Sequence, residues 1–365
     1  MLVTFTHTLY HLEPLFRMAS GQATLVNGTI THKRKYVSLW ERVMTEGVTR
    51  RVSIRERASI IGNIVGINAF RANRTLLKQR FAGGGYQLRE TAHFLLFTRE
   101  QAPTTIVAHW FAPDEIDADI GYYFLQELKP SGILNTVQDF GNLFGAIIFS
   151  VYPSNTQQAL RLYATNTLRR YRLLLDGKGK SIAPRPMDDF ALLYQRVREL
   201  LTGETLLDAG CSFGFLPLLM AEYVPTLKRI AGIDIQSEPF AIVRAIAAEK
   251  HYQQVEFAQA DLLSETFGSS EHFDTVVALH VLEHFSEADM YRVLSNLLKV
   301  TSRRLLIAVP YEPGEPEAVY GHQQLFTPTS LQAVGQWCLE RSKDIISVRL
   351  ETCAGGLLII DKQHR

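Results

Sequence analysis

The rhythm of hydrophobic positions changes twice along the chain. Between residues 20 and 110, short runs rich in β-branched and aromatic residues predict strands. ATLVNGTITH has strand composition around an Asn27-Gly28 turn signal. YVSLWERVM fits either strand or helix, and Gly83-Gly84-Gly85 marks a loop or tight turn. HFLLFTREQAPTTIVAHWF reads as two strands joined by a turn near Gln101-Ala102-Pro103. From Ala112 the rhythm becomes helical, with a start at Pro113-Asp114-Glu115 and apolar residues recurring through IGYYFLQELK. GAIIFSVY predicts a short strand, and residues 156–175 predict the clearest amphipathic helix of the first half.

The second change follows DGKGKSIAPRPMDD (176–189), whose Gly, Pro and alternating charges read as a linker. FALLYQRVRELL predicts a helix ended by Thr202-Gly203. Apolar strands TLLDAG, RIAGIDI, VEFAQAD, FDTVVALH and RRLLIAVP then alternate with helix-length segments. That alternation predicts an α/β, doubly wound parallel sheet covered on both faces. IISVRLE and GLLIIDK are too close for a crossover and must form an antiparallel hairpin. The expected division is an α+β region over 1–155, a helical linker or lid over 156–199, and the α/β domain over 200–365.

Composition narrows the class. With 365 residues, 46% hydrophobic and 21% charged, the chain is globular and long enough for about two domains. No run of about 18 apolar residues predicts a membrane span. The N-terminus lacks a basic segment before an apolar stretch, so no secretory signal is expected. Cys211, Cys338 and Cys353 are too few and too scattered for a disulfide framework or zinc cluster, which points to a reducing cytoplasm. The net charge of +1 conceals an asymmetry: residues 1–100 hold 15 Lys and Arg against 6 Glu and no Asp, hence +9, leaving −8 for the remainder. The basic part could attract an anionic partner, or its charges could simply form a solvated face.

Candidate chemistry gathers at the strand ends of the second half. TLLDAG runs into the register Asp208-x-Gly210-x-Ser212-x-Gly214 before a helix. Such a turn lets a ligand approach the backbone closely. A carboxylate just before it would repel a pyrophosphate but tolerate a cation, and S-adenosyl-L-methionine, with a sulfonium, an ammonium and no phosphate, fits. Asp234 ends the next strand, where a carboxylate accepts hydrogen bonds from a ribose. Asp261, with Leu262 beside it, follows the third strand and could meet an adenine amine; the fourth ends in His280-Val281-Leu282-Glu283-His284. All lie at carboxyl ends of consecutive strands, where open α/β sheets bind ligands.

Taken together, residues 200–365 resemble class I S-adenosylmethionine-dependent methyltransferases. LLDAGCSFG is similar to their first motif, AGIDIQ to the second-strand acidic motif, AQADLL to the third and FDTVVALHVLEHF to the fourth. The resemblance implies a Rossmann-like seven-stranded sheet with a reversed last strand. Ser212 departs from it, standing where many members carry glycine. A narrower resemblance is carried by HWFAPDEIDADIGYYFLQELKPSGILNTVQDF, LYATNTLRR, DAGCSFGFLPL and VPYEPGEPEAVYGHQQLF. These are similar to mycofactocin oligosaccharide methyltransferases, which implies O-methylation of a glucosyl hydroxyl.

A sugar hydroxyl is a poor nucleophile near neutral pH, so a general base helps. His280, His284 and His322 are the candidates, with His280 favoured by its place at the fourth strand tip. Glu283, Tyr311, Glu312 and Tyr320 are candidate acceptor contacts, with the Tyr rings stacking on a saccharide. The bland alternatives are a packing or capping role for His284, a dipole-pairing role for Glu283 and an ordinary loop at 311–322. Asp114, Glu115, Asp117 and Asp119 read as a solvated helical face. No clear oxygen-ligand cluster predicts a metal. HVLEH also satisfies the zinc-peptidase pattern H-x-x-E-H, but His280 closes a strand and need not share a helical face with His284. The expected partner is a small-molecule or oligosaccharide acceptor, with homo-oligomerisation left open. Quinone, polyketide, lipid or RNA acceptors are rivals, although no aromatic-plus-basic RNA motif is present. A non-catalytic scaffold subunit and an NAD-dependent oxidoreductase are further rivals.

Overall fold

The computed structural model describes residues 57–363 apart from 83, 101–103, 180, 182–184, 269 and 270. The strands expected around Asn27-Gly28, the segment YVSLWERVM, Gly83 and the turn at Gln101-Ala102-Pro103 lie outside the described residues. The chain forms two compact units. One takes Asp114–Gly141 and everything from Arg161 onward; the other takes the described residues up to Pro113 together with Asn142–Leu160. No described helix is long and apolar enough to cross a membrane.

The smaller unit carries a five-stranded sheet of β1 (Ala58–Ile61), β2 (Ile64–Asn68), β3 (Gln87–Glu90), β4 (Phe94–Thr98) and β5 (Thr105–His109), in the order β1-β2-β5-β4-β3. Only β2 and β5 pair in parallel. Helix α1 (Arg74–Ala82) contributes Leu77 and Phe81 to a core shared with Val65, Leu95, Phe97 and Ile106. The strand expected at GAIIFSVY is instead the end of helix α2 (Val137–Phe149). Every residue from Gly141 to Ser150 is buried. A helix buried all round loses its polar stripe, so its sequence shows only an apolar run, which a strand shares.

Helices α3 (Thr156–Leu175) and α4 (Pro186–Leu200) lead to the large sheet. Pro186 sits in the first turn of α4, and the Asp188 carboxylate accepts the Arg185 amide at 3.0 Å, which sets where the helix begins. Asp119 is a correction to the solvated acidic face. It is only 3% exposed, accepts the Met187 amide at 3.2 Å, and has Arg170 and Arg185 at 4.0 and 3.9 Å. Those arginines lie far from it in sequence, so helical spacing alone could not reveal them.

The seven-stranded sheet comprises β6 (Thr205–Ala209), β7 (Arg229–Asp234), β8 (Val255–Gln259), β9 (Phe273–Leu279), β10 (Thr301–Val309), β11 (Ile345–Thr352) and β12 (Gly356–Lys362). The order is β11-β12-β10-β9-β6-β7-β8; β6 to β10 are parallel, and the β11–β12 hairpin is antiparallel against β10. This is the expected α/β doubly wound sheet with its reversed last strand. Helices α5 (Phe215–Tyr223), α6 (Phe240–Glu249), α7 (Glu287–Val300) and α8 (Pro328–Arg341) make the crossovers, whereas β8 reaches β9 without a helix among the described residues. Burial on both faces explains the unbroken apolar strands, as in β9, where Val276 and Val277 are both fully buried. Caps place the helix starts: Ser286 accepts the Asp289 amide at α7, and Thr327 and Ser330 exchange bonds at α8. Chain order reverses on either side of β6, so its carboxyl end faces the topological switch point.

Gly203 turns the chain from α4 into β6 at φ 75°, where a Cβ would strike the Asp274 carboxyl. Asp274 Oδ2 accepts the Glu204 amide at 2.8 Å, the Thr205 amide at 3.2 Å and the Thr205 hydroxyl at 3.1 Å. Asp274→Ala therefore lowers stability by about 1–3 kcal/mol in urea denaturation, and Asp274→Asn recovers part of the loss. An unchanged midpoint in the alanine variant would remove this carboxylate from the sheet's support.

Candidate active site

The carboxyl ends of the parallel strands open on a cleft of about 380 Å³. Gly210 from β6, Asp234 from β7 and Asp261-Leu262 after β8 form one side. His284 and Ser286 after β9, with Tyr320 and Gln323 after β10, form the other.

The loop after β6 is held by its neighbour strand. The Gly210 and Cys211 amides both donate to the Ile233 carbonyl, at 2.8 and 2.9 Å, and the Gly214 amide donates to the Cys211 carbonyl at 2.7 Å. The Ser212 amide donates to Asp234 Oδ2 at 2.9 Å. These four amides are turned to the protein and so do not cradle a pyrophosphate. Gly210, Ser212 and Gly214 have φ of 81°, 50° and 73°. Ser212 thus occupies a left-handed position where glycine is favoured, and a Cβ at Gly214 would run into the Phe257 ring.

Two carboxyls beneath the loop are poorly solvated. Burial, with the Asp234 charge beside it, pushes the Asp208 carboxyl up to about 8. Burial also raises Asp234 to about 6, opposed by bonds from the Gln236, Ser212 and Ile235 amides. Asp261 is exposed, and its Oδ1 accepts the Leu263 amide at 2.8 Å. A cationic ligand without phosphate suits these donors and acceptors.

The far side is built from HVLEH and the loop after β10. His280 ends β9 with φ 55°, an uncommon backbone state for a non-glycine residue. Its amide donates to the Ala308 carbonyl at 2.8 Å, its ring packs on Phe190, and Nδ1 lies 3.4 Å from Glu283 Oε1. Leu282–His284 is a single 3-10 turn, so His280 and His284 share no helix and the peptidase pattern lacks its scaffold. The ring of His284 stands edge-on to that of His322 at 4.9 Å, and one ligand atom from each of Glu283, His284 and His322 lies within 4.8 Å of the others. His322 Nδ1 meets Glu312 Oε2 at 2.9 Å. All three residues are buried.

Of the residues singled out in the sequence, Gly210, Asp234, Asp261, Leu262, His284 and Tyr320 line the cleft. Asp208, Ser212, Gly214, His280, Glu283, Glu312 and His322 are not among its lining residues. Tyr320 is 1% exposed and packs against Phe140 at 5.6 Å, and the Tyr311 hydroxyl lies by Gly356. The sequence reading missed Gln323 and Gln324. The Gln323 amide donates to the Glu283 carbonyl at 2.7 Å, and its side chain donates to the His284 carbonyl at 2.6 Å. Gln324 Nε2 donates to the Leu282 and Phe285 carbonyls at 3.1 and 2.9 Å. The only signal was a Gln pair within a Pro/Gly-rich loop, because the carbonyls they reach belong to a distant segment.

Residues 206–303 match a family model described as a methyltransferase domain. The domain's cofactor is S-adenosylmethionine. Similar curated proteins include the 2-phytyl-1,4-naphtoquinone methyltransferase of Thermosynechococcus vestitus, 30% identical over 39% of this chain and 56% of its own length. The O-antigen chain terminator bifunctional methyltransferase/kinase WbdD of Escherichia coli is 34% identical over 30% of this chain and 16% of its own. The ubiquinone biosynthesis O-methyltransferase of Pasteurella multocida is 37% identical over 23% and 37%, respectively. The chain thus spans about half the length of the first relative and less of the other two. The methyltransferase domain match covers the Gly turn, the three strand-end Asp residues and HVLEH, and stops before Tyr311.

The raised Asp208 carboxyl gives a pH dependence. Above its unfolded value of 3.8 the unfolded chain releases this proton, while the folded chain keeps it until about 8. The folded state then binds more protons, so stability falls as pH rises across that interval. Asp208→Asn flattens the fall in urea midpoint between about pH 4 and about pH 8, an effect on the order of a few kcal/mol. Equal slopes in parent and variant would show that Asp208 ionises normally.

Proposed function

We propose that the protein transfers the methyl group of S-adenosylmethionine to an acceptor hydroxyl, with a glycosyl unit such as a glucose of an oligosaccharide as the acceptor. The observation that carries this reading is the two-sided cleft, with Asp234 and Asp261 beside a loop whose Ser212 amide is turned to the protein on one side, and His284, backed by buried Glu283 and His322, on the other. Asp234 would hold the ribose, Asp261 and Leu262 the adenine, and the Gly210–Gly214 turn with Asp208 the methionine end.

The cofactor supplies a methyl carbon already activated by a sulfonium, so the chain has mainly to align the acceptor and remove its proton. His280 would receive that proton on a ring nitrogen while the hydroxyl oxygen forms the new bond to carbon; the carbon–sulfur bond breaks and its electron pair returns to sulfur. Glu283 beside Nδ1 steadies the imidazolium that results. The glycan acceptor is supported by the narrower sequence resemblance and by a relative named for O-antigen chain termination. A quinone acceptor is favoured by the first relative's name.

Incubating the protein with methyl-labelled S-adenosylmethionine and a small-molecule extract of its organism should label a hexose-series product that gains one methyl. Label only in a quinone or another non-sugar would remove the glycan assignment, and no label despite cofactor binding would leave a silent scaffold. On the labelled acceptor, His280→Ala is expected to lower kcat ~10²-fold or more while cofactor affinity holds. Asp234→Ala should instead weaken cofactor binding about tenfold or more; unchanged affinity would withdraw it from the ribose.

A further inference from the structure

Methyl transfer to a hydroxyl needs one base, yet the far side buries three imidazoles, those of His280, His284 and His322, with the Glu283 and Glu312 carboxylates beside them. Glu283 is fully buried, and neither of its carboxylate oxygens has a hydrogen-bond partner among the described residues, His280 Nδ1 standing off at 3.4 Å from Oε1. Leaving a carboxylate so is costly unless a cation shares the site. His322 Nε2 has no hydrogen-bond partner among the described residues either, and its side chain is wholly buried. We propose that Glu283, His284 and His322 form a site for one divalent first-row transition-metal ion at the acceptor side of the cleft.

The ring nitrogens are already sorted for that task. His322 Nδ1 is engaged by the Glu312 carboxylate at 2.9 Å, and His284 Nδ1 faces the Gly321 carbonyl at 3.4 Å. An outer carboxylate or carbonyl on one nitrogen fixes the tautomer that offers the other as a ligand. The three ligand atoms lie within 4.8 Å of one another. An ion with bonds of ~2.0–2.2 Å holds tetrahedral ligands about 3.4 Å apart, so closure by roughly an ångström completes the set. Two imidazoles and one carboxylate select zinc-like or iron-like ions over magnesium or calcium. The Gln323 and Gln324 bonds to the backbone of 282–285 join the two ligand-bearing segments before any ion arrives.

Three protein ligands leave coordination positions open. His284 borders the cleft, so an open position faces the acceptor and would bind its oxygens, such as neighbouring hydroxyls of a sugar or quinol. This role rests on the methyl-transfer reading, whereas the ion site does not.

Full-length protein stripped with a chelator should take up one Co²⁺ per chain, give visible d–d absorption, and lose that absorption on adding Zn²⁺. His322→Gln and His284→Gln should each weaken Co²⁺ binding at least tenfold. Glu312→Gln, acting through His322, should weaken it by about 10–100-fold. Urea midpoints and S-adenosylhomocysteine binding confirm that each variant is folded. Absence of stoichiometric uptake, or uptake indifferent to all three substitutions, overturns the site even if methyl transfer proceeds. Stoichiometric, variant-sensitive uptake upholds it even if no acceptor is ever methylated.

Discussion

One half of the cleft depends on a clasp between adjacent strands. The Ile233 carbonyl takes two amides from the loop after β6, and the Asp234 carboxylate takes a third. These bonds curl Gly210–Gly214 over the end of β7 and hold Ser212 at a positive φ it would otherwise avoid. They also turn the Gly210, Cys211, Ser212 and Gly214 amides to the protein, so these four cannot bind a phosphate. The same residue that clasps the loop lines the cleft, so a change at Asp234 alters loop shape and cleft lining together.

Across the cleft a second set of bonds does comparable work with no regular secondary structure. The 3-10 turn at Leu282–His284 offers its carbonyls to Gln323 and Gln324. That pairing brings His322 to His284 and buries Glu283 behind them. The cleft thus has Asp234 and Asp261 on one side and His284, with Glu283 and His322 buried behind it, on the other. A cationic methyl donor suits the first environment and an oxygen nucleophile the second.

Much of this was legible in the sequence. Asp208, Asp234 and His280 stand out because β6, β7 and β9, buried on both faces, are written in unbroken apolar runs that end at the sheet's carboxyl edge, whereas Asp261 follows the largely exposed edge strand β8. Helix α3 was equally plain, since one polar face leaves a 3.6-residue period. Helix α2 was not, because burial on all sides erased that period.

The sequence by itself determined the sheet, the reversed hairpin and the row of residues at the strands' carboxyl ends, because each depends on patterns local to one strand and its turn. Only the tertiary structure decided that Asp119 is buried among arginines, that the loop amides are spent, and that His322 meets His284 and Glu283. Those outcomes join segments tens of residues apart, and hydrogen bonds to distant backbone carbonyls leave no mark on the identity of the residue that accepts them.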